Sequence, residues 1–336
     1  MNSIVRLGAL RSWHRPLTLS SALMMALAVF SAVGMAVDDR QILGESVWLK
    51  PAKFGFGFAA YGLTLAWLLS RLTRARRTGW WTGTVFAVAG PIDVGAVAYA
   101  AAHGTFSHFN DSTGDVADTV HTAFGIGVMP LMATTLVAAV LVLAQPARDR
   151  ALKLALAAGL LLAVASMGVA VWLSGTGAPR TVPDAAGNPV PLSGGHGIGD
   201  PDGRGMPLTN WSLTGGDLRV PHFMGMHALH VLLLVLAVMW LAGTRSGRPL
   251  DDGTRTRVIG LCAFWYAGVF AVLTWQAKRG QSVAHPDVDT LGALAGVSLI
   301  ALVGVGFLAH TSAAARPDSS GREAARPRER AGQGSG

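Results

Sequence analysis

Two histidines, His227 and His230, lie three residues apart within an apolar stretch. On a helix, residues three apart lie on one face. Two imidazoles on one face could bind a transition metal, or one of them could be an axial ligand of haem. The alternatives are a proton relay, a contact to a small ligand, and histidines that only bond to neighbouring helices. A metal would need further ligands from outside this pair: His222, His121, His103 or His108.

A carboxylate, Asp93, lies near the middle of another apolar stretch. Ionisable groups inside a membrane are costly and usually face the bundle interior or a water-filled cavity. Pro91 removes a backbone donor and favours a kink that leaves room for a polar partner. An unpaired carboxylate there is expected to be protonated at neutral pH. Its role is then a neutral acid bonded between helices, a proton or cation site of a transporter, or a catalytic acid.

A third group of polar and aromatic residues lies at the ends of the apolar stretches. Such a rim could bind an anion, a lipid headgroup or a quinone-like carbonyl, whereas the simpler interpretation is that long side chains extend to the interface. Within it, Lys53, Gln276 and Arg279 join Asp93 as candidates for ligand binding or proton relay. The rim comprises Arg40, Gln41, Trp48, Lys50, Lys53, Arg219, Gln276, Lys278 and Arg279.

Eight apolar stretches must position these residues. The 336 residues are 51% hydrophobic and 14% charged, whereas a soluble domain is roughly 25% charged. A bilayer core needs about 20 apolar residues in a helix, which predicts an all-α bundle of eight transmembrane helices and excludes a cytosolic enzyme, a disulfide scaffold and a nucleic-acid-binding protein. The predicted spans are 17–37, 54–71, 80–102, 121–144, 151–174, 221–243, 257–277 and 288–310.

The distribution of charge predicts the orientation. If the N-terminus is cytoplasmic, the inner segments hold 19 of the 27 basic residues and 6 of the 19 acidic residues. This bias follows the positive-inside rule. We therefore expect a multi-pass protein of a bacterial cytoplasmic membrane with both termini in the cytoplasm. The net charge of +8 then reports topology rather than an acidic partner.

The remaining segments are less informative. The first span could be a signal peptide, but its apolar run is longer than the usual 7–15 residues, which favours retention. The outer segment 175–219 is rich in Gly and Pro and is interpreted either as a flexible linker or as a lid over an outward-facing site. Segment 1–16 is expected to be cytoplasmic, and segment 311–336 a disordered cytoplasmic tail. The single cysteine, Cys262, allows no disulfide within one chain.

The chain also suggests an internal repeat of four spans. Spans two and six open similarly, at Lys53-Phe54-Gly55 and His222-Phe223-Met224, and spans three and seven end in Ala101-Ala102-His103-Gly104 and Ala277-Lys278-Arg279-Gly280. Four spans per half would make the repeat parallel. Chance similarity in sequence rich in Ala, Gly and Leu is the alternative.

Three stretches resemble an uncharacterised group of bacterial multi-pass membrane proteins. They are Trp48-Leu49-Lys50-Pro51-Ala52-Lys53-Phe54, Arg219-Val220-Pro221-His222-Phe223-Met224-Gly225-Met226-His227-Ala228-Leu229 and Gln276-Ala277-Lys278-Arg279-Gly280-Gln281. The resemblance implies a membrane fold and marks these stretches as places to look, and it brings no activity with it.

Several catalytic classes have no motif in this chain. There is no Walker A loop, dinucleotide fingerprint, H-E-x-x-H, G-x-S-x-G or C-x-x-C. We expect a polar site that opens outward and binds a metal, haem or a small ligand. The other hypotheses are a proton- or cation-coupled secondary transporter and an accessory subunit with no site of its own, and the sequence predicts no oligomeric state.

Overall fold

The computed structural model describes residues 12–146, 149–200, 202 and 204–314, and it is an all-α bundle. It is 69% helical, and its eight helices are each long and apolar enough to span a membrane, which confirms the predicted fold class. Most of the predicted terminal segments 1–16 and 311–336 lies outside the described residues. The helices are α1 (Arg15–Val37), α2 (Leu49–Ser70), α3 (Arg76–Ala102), α4 (Asp115–Leu143), α5 (Arg150–Ser174), α6 (Arg219–Arg245), α7 (Asp252–Lys278) and α8 (Val288–Ala314).

Several helices extend beyond the predicted apolar stretches. Helix α2 begins at Leu49 rather than 54, and α4 begins at Asp115 rather than 121. Hydropathy marks only the part of a helix that suits lipid, whereas the backbone ladder continues until a cap or a turn ends it. The correction matters because it places Lys50 and Lys53 in the first turn of α2, not in a loop ahead of it.

Side-chain caps and glycines set several helix ends. The Nδ1 of His14 and the carboxylates of Asp149 and Asp251 accept backbone N–H bonds at the starts of α1, α5 and α7. At the other ends of α3 and α7, Gly104 and Gly280 take left-handed backbone angles with φ of +67° and +74°. A residue without Cβ adopts this conformation at little cost and so ends the helix.

One end of the bundle, which we call the loop face, is covered by ordered connections. The longest of them was expected to be either a linker or a lid, and it contains strands and a small apolar core of Val182, Val190 and Leu192. Its strands are β3 (Arg180–Pro183), β4 (Pro189–Leu192), β5 (Gly197–Ile198) and β6 (Gly216–Asp217), while β1 (Gln41–Ile42) and β2 (Glu45–Ser46) lie in the first connection. The connections of the loop face are residues 38–48, 103–114, 175–218 and 279–287.

The two halves of the chain pack in the same order. Helix α1 contacts α2 and α3, α2 contacts α3, and α3 contacts α4; likewise α5 contacts α6 and α7, α6 contacts α7, and α7 contacts α8. An antiparallel strand pair precedes the second helix of each half, β1–β2 before α2 and β5–β6 before α6. This packing supports the hypothesis of two four-helix halves.

A glycine marks the same helix crossing in each half. A Cβ added at Gly55 would lie 2.7 Å from the carbonyl oxygen of Met24 on α1, and one added at Gly225 would lie 2.9 Å from that of Leu162 on α5. Both glycines let the second helix approach the first closely. The repeat predicted from the sequence pairs Gly55 with Met224, which is one residue out of register, because it aligns Phe54 with Phe223.

Candidate functional site

Three cations converge on the loop face at the first turns of two helices. Lys50 and Lys53 belong to α2, and Arg219 is the first residue of α6. The three charges lie close enough to act on the same neighbours. Those of Lys53 and Arg219 act on Glu45, and those of Arg219 and Lys50 act on His196. The backbone N–H groups at a helix N-terminus add a partial positive charge. The cluster therefore carries positive potential.

Among the described residues, Lys50 bonds only to neutral partners. Its Nζ donates to the Ser107 Oγ at 2.8 Å and to the His108 Nδ1 at 3.0 Å. An ammonium can only donate, so the ring of His108 accepts through Nδ1 and carries its proton on Nε2. Burial, with the charges of Lys50 and His196, holds the pKa of His108 well below its usual value. His108 is therefore neutral at pH 7.

The tip of the long connection closes over the other two cations. Lys53 Nζ donates to the carbonyl oxygen of Thr209 at 2.8 Å, and the Arg219 guanidinium donates to that of Asn210. The tip itself is a tight turn, held by the bridge between Gly205 and Ser212. The bond to Thr209 uses one of the three N–H donors of Lys53, so the tip covers this ammonium and leaves it two further donors within the described residues.

Arg219 is fixed by a buried aspartate. Its Nη2 lies 2.7 Å from the Oδ2 of Asp217, whose side chain is 0% exposed, and the backbone N–H of Arg219 donates to Oδ1. Burial opposes ionisation of Asp217, but the hydrogen bonds and charge of Arg219 and the N–H of Ser212 hold its pKa below its usual value. Asp38 and Arg40 repeat this arrangement in the first half, again at 2.7 Å.

His196 lies close enough to Arg219 and Lys50 for their charges to act on it, and its Nδ1 is buried. That nitrogen has no hydrogen-bond partner within the described residues and lies 3.8 Å from the Asp217 Oδ1, which is too far for a hydrogen bond. Burial lowers the pKa of His196 to about 3, with further lowering by Arg219 and Lys50 against the opposing charge of Asp217. The imidazole is a neutral group that can donate a hydrogen bond into the cluster.

Asp93 lies deeper in the bundle, as predicted from its place in the sequence. It is 5% exposed on α3, and its Oδ1 has no partner within the described chain. A Cβ added at Gly127 of α4 would lie 3.1 Å from the Cβ of Asp93, so the two helices are close there. Lys50 is the charged residue that acts on it.

The structure places two of the four predicted histidines next to each other. The rings of His227 and His230 lie 5.2 Å apart, and that of His230 lies 6.1 Å from Tyr61 on α2. His222 instead bonds through Nδ1 to the carbonyl oxygen of Ser166 at 2.9 Å, and His121 is exposed at the start of α4. No group of three or more metal-ligating side chains occurs in the described ranges. Metal or haem binding stays a prediction.

Two further candidates lie at the turn between α7 and α8, where Gln276 and Asp217 line the same small pocket. Gln276 is buried and donates to the carbonyl oxygen of Ser282 at 2.8 Å, which holds the turn between α7 and α8. Arg279 pairs with Asp287 and packs over the Trp275 ring with its guanidinium 4.4 Å from the centroid. Both residues thus have structural contacts, and only Lys53 of the rim candidates in the predicted ligand set joins the cluster.

The sequence analysis did not select three residues that surround the three cations: Glu45, His196 and Asp217. All three come from loop-face connections, where neither hydropathy nor helical periodicity selects residues. A weak signal was present for Asp217, since the triplet Asp-x-Arg occurs at Asp38, Asp202 and Asp217, and the first and last of these lie shortly before α2 and α6. No comparable signal marks His196 in its Gly-rich surroundings.

The arrangement is chemically suited to an oxyanion. An ammonium has three N–H donors, of which Lys50 uses two and Lys53 one within the described residues. None of the described carboxylates forms an ion pair with either lysine, since the ion pairs of the loop face use other residues. Like charges held close together repel, and a bound anion would relieve that repulsion.

Comparison of the chain with protein-family models, with curated proteins and with solved structures finds no match.

Proposed function

We propose that this integral membrane protein binds a small oxyanion at the loop face, through Lys50, Lys53 and Arg219. The observation that carries the proposal is the pair of ammonium groups on one helical turn, both without a carboxylate partner among the described residues. The two carboxylates near the cations, Glu45 and Asp217, can balance at most two of the three positive charges, that of Arg219 and that of one lysine. The neutral rings of His108 and His196 supply further donors without adding repulsion.

The proposal includes the orientation that the charge distribution predicts. The loop face would be the outer face of a bacterial cytoplasmic membrane, with both termini in the cytoplasm. A single-cysteine experiment tests this on a Cys262→Ser background. A membrane-impermeant maleimide should label Ala186→Cys in intact cells and Ser246→Cys only after permeabilisation, because these exposed positions lie at opposite ends of the bundle. The reverse pattern would overturn the orientation.

Binding is tested by calorimetry on the full chain in a neutral detergent. Sulfate, inorganic phosphate and acetate are the probes, and Lys50→Met and Lys53→Met are the variants that remove one ammonium each. Lys278→Met is the matched control, because Lys278 lies on the same face with its ammonium over the Trp172 ring, 3.9 Å from its centroid, and its charge is not among those that act on Glu45, His196 or Asp217. We expect at least a tenfold loss of affinity in both variants and none in the control.

A second experiment distinguishes an anion taken from water from the phosphate of a lipid. The protein in nanodiscs of phosphatidylcholine is compared with the protein in nanodiscs that contain phosphatidylglycerol. If the site takes its anion from water, sulfate affinity is the same in both. Competition by phosphatidylglycerol would identify a lipid phosphate as the occupant. Absence of binding by every probe would overturn the proposal and leave the accessory-subunit hypothesis.

A second candidate function is secondary transport coupled to protons or another cation. Asp93 favours it, because a buried carboxylate with an unpartnered oxygen on a membrane-spanning helix is a common feature of ion pathways. In liposomes, uptake of labelled sulfate or phosphate should then respond to an imposed proton gradient, and Asp93→Asn should remove that response.

The metal and haem hypotheses are tested separately by elemental analysis and an absorption spectrum of the purified protein, with His227→Ala and His230→Ala as the variants.

A further inference from the structure

One face of α6 is open to the surrounding lipid over the middle of the helix. His227, Val231, Leu234 and Val238 follow one another at spacings of four, three and four residues, which place them on a single helical face. Leu234 and Val238 are 62% and 56% exposed. In the first half α4 packs against α2, whereas α8 makes no comparable packing against α6 among the described residues. The second half therefore leaves α6 without the cover that α4 gives to α2.

This open face meets an exposed face of α2 at His230. The His230 ring lies 6.1 Å from the ring of Tyr61 and approaches the carbonyl oxygen of Ala60. On α2, Phe56 and Leu63 lie about one turn to either side of Ala60 and are also exposed. We call the surface that the two exposed faces form the lateral groove.

The lateral groove holds two imidazoles at a depth where lipid offers them no partner. His227 and His230 lie roughly 12 and 16 Å along α6 from its start at Arg219. Their rings are 5.2 Å apart, and both ring nitrogens of His230 are buried without a hydrogen bond to any described residue. The Ala60 carbonyl accepts from the Thr64 hydroxyl at 3.0 Å instead. Because an unpaired polar group is costly in hydrocarbon, the missing partner must itself reach the middle of the bilayer.

We propose that the lateral groove binds a membrane-soluble quinone, with a ring oxygen at His227 and His230 and the apolar tail along Leu234 and Val238. A neutral imidazole has one N–H donor and one acceptor nitrogen, so the pair can donate to the carbonyl of a quinone or accept from the hydroxyl of a quinol. An acyl chain of a phospholipid carries no such group at this depth. This binding does not depend on the oxyanion site at the loop face.

The test measures retention of tritiated decylubiquinone by the full chain in phosphatidylcholine nanodiscs, after subtraction of the amount held by empty nanodiscs. Tritiated decylbenzene, which has the same tail and no carbonyl, is the reference compound. We expect saturation near one quinone per protein, no saturable retention of decylbenzene, and at least tenfold weaker quinone binding in His227→Leu and His230→Leu. His121→Leu is the matched control, because His121 is exposed at the start of α4, and it should bind as the wild type does.

The outcomes separate a specific site from partition into lipid. Retention that does not saturate, or that is equal in the wild type and both groove variants, overturns the proposal. A metal or haem bound in stoichiometric amount to the wild type and absent from both variants would assign the ring nitrogens to that ligand and also overturns it. If the leucine variants do not fold, Leu234→Trp fills the groove and keeps both imidazoles. It should weaken quinone binding, and wild-type affinity in that variant overturns the proposal.

Discussion

Lys53 and Thr209 are 156 residues apart in the chain, and their hydrogen bond joins the first turn of α2 to the tip of the longest connection. The bond runs from Nζ to a backbone carbonyl oxygen over 2.8 Å. It is one point at which a loop of the second half closes over a helix of the first. The same connection also bonds to the first half through Ala185 and Gly104 and through Ser193 and Phe109, so Lys53 is one of several links between the halves.

Removing this ammonium should loosen the tip. We expect Lys53→Met to increase hydrogen–deuterium exchange of the backbone amides in residues 204–213, because the Thr209 carbonyl loses its donor, a change of about 1–3 kcal/mol. Lys278→Met should leave that exchange unchanged. Equal protection of the tip in the two variants would contradict a role of Lys53 in closure.

Replacing a glycine by alanine should have opposite effects at the two crossing glycines and at Gly57. Gly55→Ala and Gly225→Ala place a Cβ within 2.7 Å of a backbone oxygen and within 2.5 Å of a side-chain carbon, respectively, so both should lower thermal stability in detergent. Gly57→Ala meets nothing within 4 Å and should be neutral or stabilise by up to about 1 kcal/mol, as Ala does in a helix. The check is the melting temperature by fluorescence-detected size-exclusion chromatography.

The fold was predictable because lipid imposes a simple rule on sequence. Every backbone group in the bilayer must bond internally, so long apolar stretches specify helices without knowledge of their contacts. The register of the repeat was not predictable to one residue, because Gly55 and Gly225 are set by the approach of α1 and α5 and not by likeness of neighbouring side chains.

The cluster at the loop face was only partly predictable for a different reason. Lys50, Lys53 and Arg219 stood out because basic residues are few on the predicted outer side, which holds 8 of the 27. His196 and Asp217 reach the site through strands β5 and β6, which are two residues long each. Their place depends on pairing across the 17 residues between β5 and β6, and such long-range pairing leaves no local periodicity to read.

The buried ion pair at Asp217 should be more important for stability than its exposed neighbours. Asp217→Asn leaves Arg219 without its carboxylate, and loss of one partner of a buried pair costs about 3–5 kcal/mol. Asp202→Asn removes a partly exposed pair with Arg180 and should cost about 1 kcal/mol or less. Limited proteolysis of residues 193–218 measures the difference, and equal cleavage of the two variants would contradict it.

Acidification should open the same connection, because the imidazole of His196 is neutral in the closed structure. Its pKa is about 3 there, lowered by burial and then by Arg219, and about 6.5 in an unfolded segment. The open form therefore binds more protons between these two values, so stability of the closed form is fully present above pH 6.5 and declines as the pH falls below it. The pKa of His108 is lowered in the same direction by its burial beside Lys50.

Hydrogen–deuterium exchange of the backbone amides in residues 193–218, corrected for intrinsic rates, should be faster at pH 5 than at pH 7.5 in the wild type, and His196→Gln should reduce that difference. A wild-type protein with equal protection at both values would show that the closed connection tolerates a charged imidazole.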